Sequence, residues 1–182
     1  MKTRLIVFII MVALTLSCSK PIPRKPISIS SGSFLKESVE RNKKLVAKEE
    51  ALIKSIIKQD SLNDYIASEN GYWYYYKTKS NVVSKLPTFG DKVTFDYELR
   101  SLNNEVIYSK EELGQQEYYV DKQNIIEGLR SGIKLMKANE EIIFLFPSNQ
   151  VYGYHGDNKK ITTNTPVKAI VSVHSIEQEK TE

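Results

Sequence analysis

The chain has 182 residues, with 26 Lys and Arg against 22 Asp and Glu, and is 41% hydrophobic and 26% charged, the balance of an ordinary globular protein. Eight Gly and six Pro exclude a collagen-like or Pro/Gly low-complexity chain, and a formal charge of +4 is too small to argue for nucleic acid as a partner. One cysteine excludes an intramolecular disulfide framework and any multi-cysteine metal site, while the length allows one medium domain with a real core plus an extension.

At the N-terminus, Lys2 and Arg4 precede an apolar run from Leu5 to Leu16, broken only by Thr15 and followed by Ser17 and Cys18. At about 12 residues the run is too short to span a bilayer as a helix, which takes roughly 20. It reads as the h-region of a secretory signal. Leu14-Thr15-Leu16-Ser17-Cys18 resembles a bacterial lipobox, although Leu14 and Thr15 depart from its usual pattern. The resemblance implies that residues 1–17 are a signal peptide cut off before Cys18, and that Cys18 is lipidated and anchors the chain to a membrane. The plain alternative is a secreted protein with a spare thiol. Residues 18–33 hold Pro21, Pro23 and Pro26 with Ser28, Ser30 and Ser31. Proline fixes φ and removes amide donors, so this stretch is expected to be an extended tether. Ser19 rather than Asp follows the cysteine, and Lys20, Arg24 and Lys25 give no acidic signal. By lipoprotein rules this implies a cell-envelope protein in the outer membrane, facing the periplasm.

Residues 34–70 change period. Val39, Val46, Ile53 and Ile57 repeat every seven or four residues, Leu45, Leu52 and Ile56 widen the stripe, and Lys and Glu fill the other face. This predicts an amphipathic helix from Phe34 to about Ile66. Ser33 suits its N-cap, Asp60-Ser61 either interrupts or kinks it, and Gly71 ends the helical region. Two roles for the stripe stay open: packing against the protein's own domain, or a homodimer or partner contact through residues 34–66.

From Tyr72 the period becomes two. Expected strands are Tyr72–Tyr76, Lys92–Leu99 after a Phe89-Gly90-Asp91 turn, Glu105–Tyr108 after an Asn103-Asn104 hairpin turn, Glu117–Val120, Glu140–Phe146 stopped by Pro147, and Val167–Val173. Asn124–Met136 instead fits one short helix through Ile125, Ile126, Leu129, Ile133, Leu135 and Met136. The expected fold class is therefore α+β: an antiparallel sheet with one short helix on a face, preceded by the amphipathic helix. No internal repeat is visible.

Conventional catalytic sets are absent from the sequence. His155 and His174 lack a second His or a Cys at metal-ligand spacing. His174 follows the last strand and reads as a surface residue, and His155, in a Gly153-Tyr154-His155-Gly156-Asp157 loop, reads as solvated. There is no Gly-rich phosphate loop, nucleophile elbow or H-E-x-x-H. What remains is a set of apolar and tyrosine positions around loops, a surface able to bind an apolar ligand.

The order of these segments carries a resemblance. Phe89-Gly90-Asp91-Lys92-Val93-Thr94-Phe95-Asp96-Tyr97, Ile107-Tyr108-Ser109, the Asn124–Met136 segment, Phe146-Pro147 with Val151-Tyr152-Gly153, and Ile161-Thr162-Thr163-Asn164 resemble, in order, motifs of the FKBP-type peptidyl-prolyl cis-trans isomerases. Together with the leader and the lipobox, the chain looks like the gliding-motility-associated lipoprotein branch of that family. The resemblance implies an isomerase domain over residues 71–177, a charged tail at 178–182, and a curved antiparallel sheet wrapped on one short helix. It implies no cofactor. Carried over by position, Tyr97, Tyr108, Ile126 and Tyr152 are the catalytic positions, the Ile126 N–H donating to the carbonyl that precedes proline. Ile107, Tyr118, Ile125, Leu129, Ile161 and Ala169 line the substrate pocket.

Several positions depart from the family pattern. Tyr108 stands for an Asp, Leu129 for the Trp of the pocket floor, Ala169 for a Phe, and Thr162-Thr163 for two prolines. Tyr97 and Tyr118 also suit plain core positions. Two functions follow from the resemblance. One is a membrane-anchored isomerase or folding factor for proline-containing exported proteins. The other is a weakly active binding module docking onto a motility or secretion machine.

Overall fold

The computed structural model describes residues 32–81 and 84–179. Cys18, the signal peptide and nearly all of the expected tether lie outside the described residues. Residues 38–179 belong to one compact unit, and the described residues of the other, 32–37, are helical. The elements are α1 (Gly32–Gln59), β1 (Ile66–Ala67), β2 (Trp73–Thr78), β3 (Lys92–Arg100), β4 (Val106–Tyr108), α2 (Lys110–Leu113), β5 (Gln116–Tyr119), α3 (Glu127–Ile133), β6 (Glu140–Phe146), a 3-10 turn (Ser148–Gln150) and β7 (Val167–Glu177).

All strand pairs are antiparallel in one curved sheet of order β1-β2-β6-β7-β3-β4, with β5 also on β3. β4 pairs with β3 at Leu99 and Arg100, and β5 pairs with it from Lys92 to Phe95. They are two halves of one broken strand, and the break carries α2. Ser109 caps that helix, its Oγ accepting the Glu112 N–H at 3.3 Å. The Asn103-Asn104 turn forms as expected, with Asn104 at φ 69° and its N–H donating to the Ser101 carbonyl at 3.0 Å.

The core lies between the concave face of the sheet and α3. Val93, Phe95, Leu99, Phe144, Phe146, Ala169, Val171 and Val173 supply the sheet side, and Leu129 and Ile133 of α3, with Met136 just after it, the other side. α3 contains two glycines four apart, an arrangement that costs helix propensity. Packing explains them. A Cβ on Gly128 would stand 2.6 Å from the Phe146 ring and 2.9 Å from the Gln150 carbonyl, and one on Gly132 would stand 2.8 Å from the Phe144 ring. The helix rests directly on two aromatic rings that stack at 5.2 Å.

Of the two readings of Asp60-Ser61, interruption is the one the structure has: the helix stops at Gln59 instead of running on to Ile66, and three other expectations change. The Asp60 carboxylate accepts the Leu62 N–H (3.3 Å), the Asn63 amide (2.8 Å) and the Tyr65 hydroxyl (3.0 Å), a local alternative to helical bonding. Ile66–Ala67 then pairs with Trp73 and Tyr74, and Gly71 sits in that hairpin turn instead of capping a helix. The helix also begins at Gly32, so Ser33 lies inside it. Finally, β6 does not alternate. Ile142, Phe144 and Phe146 face the core, yet Ile143 and Leu145 are buried as well. Leu145 pairs with Trp73, whose ring lies 5.5 Å beneath the Lys54 Nζ of α1. A strand covered on both faces reads as a continuous apolar run.

The stripe of α1 divides accordingly. Ile53 is fully buried, Leu45, Val46, Ile56 and Ile57 are half-buried, and Val39 and Leu52 are exposed. The C-terminal half packs on the domain. Its polar anchor is Glu49, only 5% exposed, whose carboxylate accepts the Ser148 N–H at 2.7 Å and the Ser148 hydroxyl at 2.8 Å.

Candidate functional site

The ten candidate positions come from eight places in the chain, and the fold brings them to one apolar cluster. Tyr97 is on β3, Ile107 and Tyr108 on β4, Tyr118 on β5, and Ile125 and Ile126 on the approach to α3. Leu129 is in α3, Tyr152 follows the 3-10 turn, Ile161 lies in the loop before β7, and Ala169 is on β7. Register explains part of the convergence, since Leu99 pairs with both Tyr108 and Ala169, and Tyr97 with Val171. Burial sorts the ten into two tiers. Tyr108, Tyr118, Leu129, Ile161 and Ala169 are buried, whereas Tyr97, Ile107, Ile125, Ile126 and Tyr152 are half-buried and pack on them. The second tier is the one that keeps contact with solvent.

Each wall has a local reason for its position. Ile126 is the N-cap of α3, at φ −50° and ψ 128°, and its carbonyl accepts the Arg130 N–H at 2.9 Å. An N-cap amide stands ahead of the intrahelical ladder, so the Ile126 N–H is left for another acceptor. The approach to α3 is braced by Asp121, which takes Arg130 Nε at 3.0 Å and Lys134 Nζ at 2.6 Å. The Tyr118 hydroxyl accepts the Asp121 N–H at 2.9 Å. Being fully buried, Tyr118 contributes packing and this one bond. Tyr152 sits on a turn whose base is Ser148: the Ser148 carbonyl accepts the Val151 N–H at 3.1 Å and the Gly153 N–H at 2.8 Å.

The electrostatics of the cluster are those of a drying, tyrosine-rich surface. Burial pushes the Tyr97 phenol up, and burial followed by the nearby oxygens of Tyr97, Asp157 and Tyr108 pushes the Tyr152 phenol up. Both stay protonated hydroxyls. The Tyr108 phenol is also raised, first because its hydroxyl donates to Asp157. Asp157 is the residue that sequence reasoning passed over. Burial favours its neutral form, but the Tyr108 hydroxyl and the Lys159 and Ile161 amides more than offset that and hold its carboxyl below the usual range. The loop that contains it drew attention only for His155, which is exposed and touches the Tyr154 ring. His174 is paired on the outer face of the sheet with Asp96, at 2.8 Å. Among the described residues no group of His, Cys, Asp and Glu could hold a metal ion, and no helix is long and apolar enough to cross a membrane.

The geometry defines an FKBP-like α+β domain: an antiparallel sheet curved over a short helix, with an apolar, hydroxyl-edged cluster at one end. The sequence matches the FKBP-type peptidyl-prolyl cis-trans isomerases over residues 84–174. The protein belongs to that family. Among solved structures, it resembles the crystal structure of a peptidyl-prolyl cis-trans isomerase from Pseudomonas syringae pv. tomato, with a TM-score of 0.57 at 18% identity, over 75% of this chain and 96% of that one. No curated protein matches the sequence.

Proposed function

We propose that the protein is a membrane-anchored peptidyl-prolyl isomerase acting on exported proteins, of the gliding-motility-associated lipoprotein branch. The observation that carries the isomerase reading is that Tyr97, Ile107, Ile125, Ile126 and Tyr152 are half-buried against one buried cluster that includes Leu129 and Ala169. The anchor and the branch rest on the lipobox-like Leu14–Cys18 segment, the proline-rich stretch and the helical leader.

The chemistry asks little of such a site. Rotation about an X–Pro amide is opposed by resonance, with a barrier of about 18–20 kcal/mol. Resonance is strongest when the carbonyl oxygen is solvated and carries negative charge. The half-buried apolar wall strips that water, and the Ile126 N–H holds the carbonyl preceding proline. The Tyr152 hydroxyl, a neutral donor on a half-buried side chain packed on the same cluster, completes the site. Shortening a time of tens of seconds to milliseconds is about 10⁴-fold, or ~5.4 kcal/mol. Desolvation, one hydrogen bond and fit to the twisted amide are of that order. No bond is made or broken, so no nucleophile is required.

A protease-coupled assay on prolyl peptides tests the assignment. Tyr152→Ala and Ile126→Pro are expected to slow turnover at least tenfold. Proline suits Ile126 because φ there is already −50°, so the change removes the N–H without forcing that residue's backbone, although it also replaces the Ile126 side chain. Equal rates in wild type and both variants would discard the site. A second reading, a weakly active module docked onto a motility or secretion complex, is favoured by the small floor residues Leu129 and Ala169. Turnover as fast as that of ordinary family members would remove its basis. Palmitate labelling that is lost in Cys18→Ala would support the anchor, and an unlabelled wild type would refute it. A homodimer through residues 34–66 predicts a mass by light scattering that rises with concentration, and a constant monomer mass would exclude it.

A further inference from the structure

We infer that Asp157 is a positioning residue of the prolyl site: its carboxylate clamps the loop bearing Tyr152 and Ile161 onto Tyr108 of β4. The inference rests on the isomerase reading for its activity readout, and on geometry alone for the clamp.

The two carboxylate oxygens divide the work. Oδ1 accepts the Lys159 N–H and the Ile161 N–H, each at 2.8 Å, while the Asp157 N–H donates to the Ile161 carbonyl at 3.0 Å. These bonds close residues 157–161 into a turn that sets Ile161 into the core at 2% exposure. Oδ2 accepts the Tyr108 hydroxyl, a bond across 49 positions of sequence. Further back, the Asn164 N–H donates to the Gly153 carbonyl at 2.8 Å, closing the loop just after Tyr152. A second, exposed link runs in parallel: Lys160 Nζ lies 4.7 Å over the Tyr108 ring and 2.6 Å from both Glu112 oxygens. An exposed pair of that kind contributes little by itself. The half-buried carboxylate is therefore the group that fixes the loop.

Two consequences follow. The Tyr108 proton is committed to Asp157, so Tyr108 does not offer it to a substrate carbonyl. It acts as the strand-side anchor of the clamp. The carboxylate that family resemblance places on β4 reaches the same neighbourhood from the opposite loop, with the phenol spanning the gap. A wall displaced by about 1 Å can cost up to 100-fold in rate, so the clamp is expected to show in kinetics as well as in mobility.

The test compares the full chain with Asp157→Ala, Asp157→Asn, Tyr108→Phe and the double variant Asp157→Asn/Tyr108→Phe, using prolyl-peptide turnover and amide hydrogen exchange at residues 157–161. Asp157→Ala is expected to raise KM, to lower kcat/KM at least tenfold, and to speed exchange at Lys159 and Ile161 by tenfold or more. Asp157→Asn keeps an oxygen for the two amides, so exchange there stays within about threefold of wild type and activity is partly restored. It also folds if the alanine variant does not. Tyr108→Phe removes the hydroxyl at one end of the clamp and Asp157→Asn the anionic acceptor at the other, so the double variant should be no slower than the worse single one. An active wild type whose kinetics and exchange are unmoved by Asp157→Ala overturns the inference, as do additive losses in the double variant. A wild type without turnover defeats the isomerase reading alone. The exchange arm then decides the clamp by itself, faster exchange in Asp157→Ala sustaining it and unchanged exchange removing it.

Discussion

Glu49 offers the sharpest test of how the leader helix meets the domain. Its carboxylate is almost completely buried and takes two hydrogen bonds from Ser148, at 2.7 and 2.8 Å. Hydrogen bonds to a charged acceptor contribute about 1.5–3 kcal/mol each. Glu49→Ala removes both and leaves the Ser148 N–H buried without a partner, at a further ~1–3 kcal/mol. Against this stands the desolvation of a buried carboxylate, several kcal/mol, which alanine relieves. The balance is a destabilisation of about 2–4 kcal/mol, equivalent to about 4–16 °C in Tm for a chain of this size. Glu49→Gln behaves differently. Its carbonyl can still accept the Ser148 N–H, its amide can donate to the Ser148 hydroxyl, and the charge no longer has to be buried. Its expected change is within about 1 kcal/mol. The assay is urea unfolding of the full chain followed by circular dichroism, with the midpoint and slope compared. A Glu49→Ala midpoint equal to wild type would show that the helix is not fastened at this point. A Glu49→Gln loss as large as that of alanine would show that packing volume, not hydrogen bonding, holds it. Because Ser148 also anchors the turn to Tyr152, Glu49→Ala should weaken prolyl turnover while Glu49→Gln should not.

Gly128→Ala is expected to destabilise by about 1–3 kcal/mol, because the added methyl meets the Phe146 ring and the Gln150 carbonyl below 3 Å. That overpacking outweighs the ~1 kcal/mol gain in helix propensity, and a more stable variant in thermal melts would refute the contact. Tyr118→Phe should cost about 0.5–1.5 kcal/mol, the worth of its bond from the Asp121 N–H, and leave kcat/KM within twofold. A tenfold loss of turnover would instead make its hydroxyl part of the chemistry. Stability should fall at both ends of the pH scale. Asp60, Asp91, Asp121 and Asp157 have lowered values, so their contribution is present above about pH 4 and is lost as pH falls through the folded values. Tyr97, Tyr108 and Tyr152 are raised, so theirs is present below about pH 10 and is lost as pH climbs through the folded values. Melting points that do not drop at pH 3 and at pH 11 would contradict both signs.

The parts of the fold written in local periodicity were legible, and those made by distant contact were not. Alternation in Lys92–Leu99 and the turn residues Asn103-Asn104 announce their strand and hairpin because each depends on neighbours only a few residues away. The end of α1 was legible only as a choice, since deciding between kink and stop requires knowing that the Asp60 carboxylate gathers the Asn63 amide and the Tyr65 hydroxyl. β6 was misread because its second face is apolar for a reason lying outside it, the pairing of Leu145 with Trp73 beside α1. The short pairing at Ile66–Ala67 and the helix at Lys110–Leu113 are too brief to leave a period at all.

The site follows the same division. Motif order names ten candidate positions, and all ten lie in or against one buried cluster, because each motif is local and the family supplies their arrangement. Which partner a hydroxyl finds across 49 residues of sequence is not local, and Asp157 went unnoticed beside a histidine that turned out to be solvated. Resemblance also favours comparing one position at a time. Tyr108 looks like a lost carboxylate when read alone. Read with Asp157, the same position keeps an anion next to the apolar wall but moves its backbone origin from a strand to a loop. The substitutions at Tyr108, Leu129 and Ala169 are thus better weighed together with the loop that faces them than as separate losses.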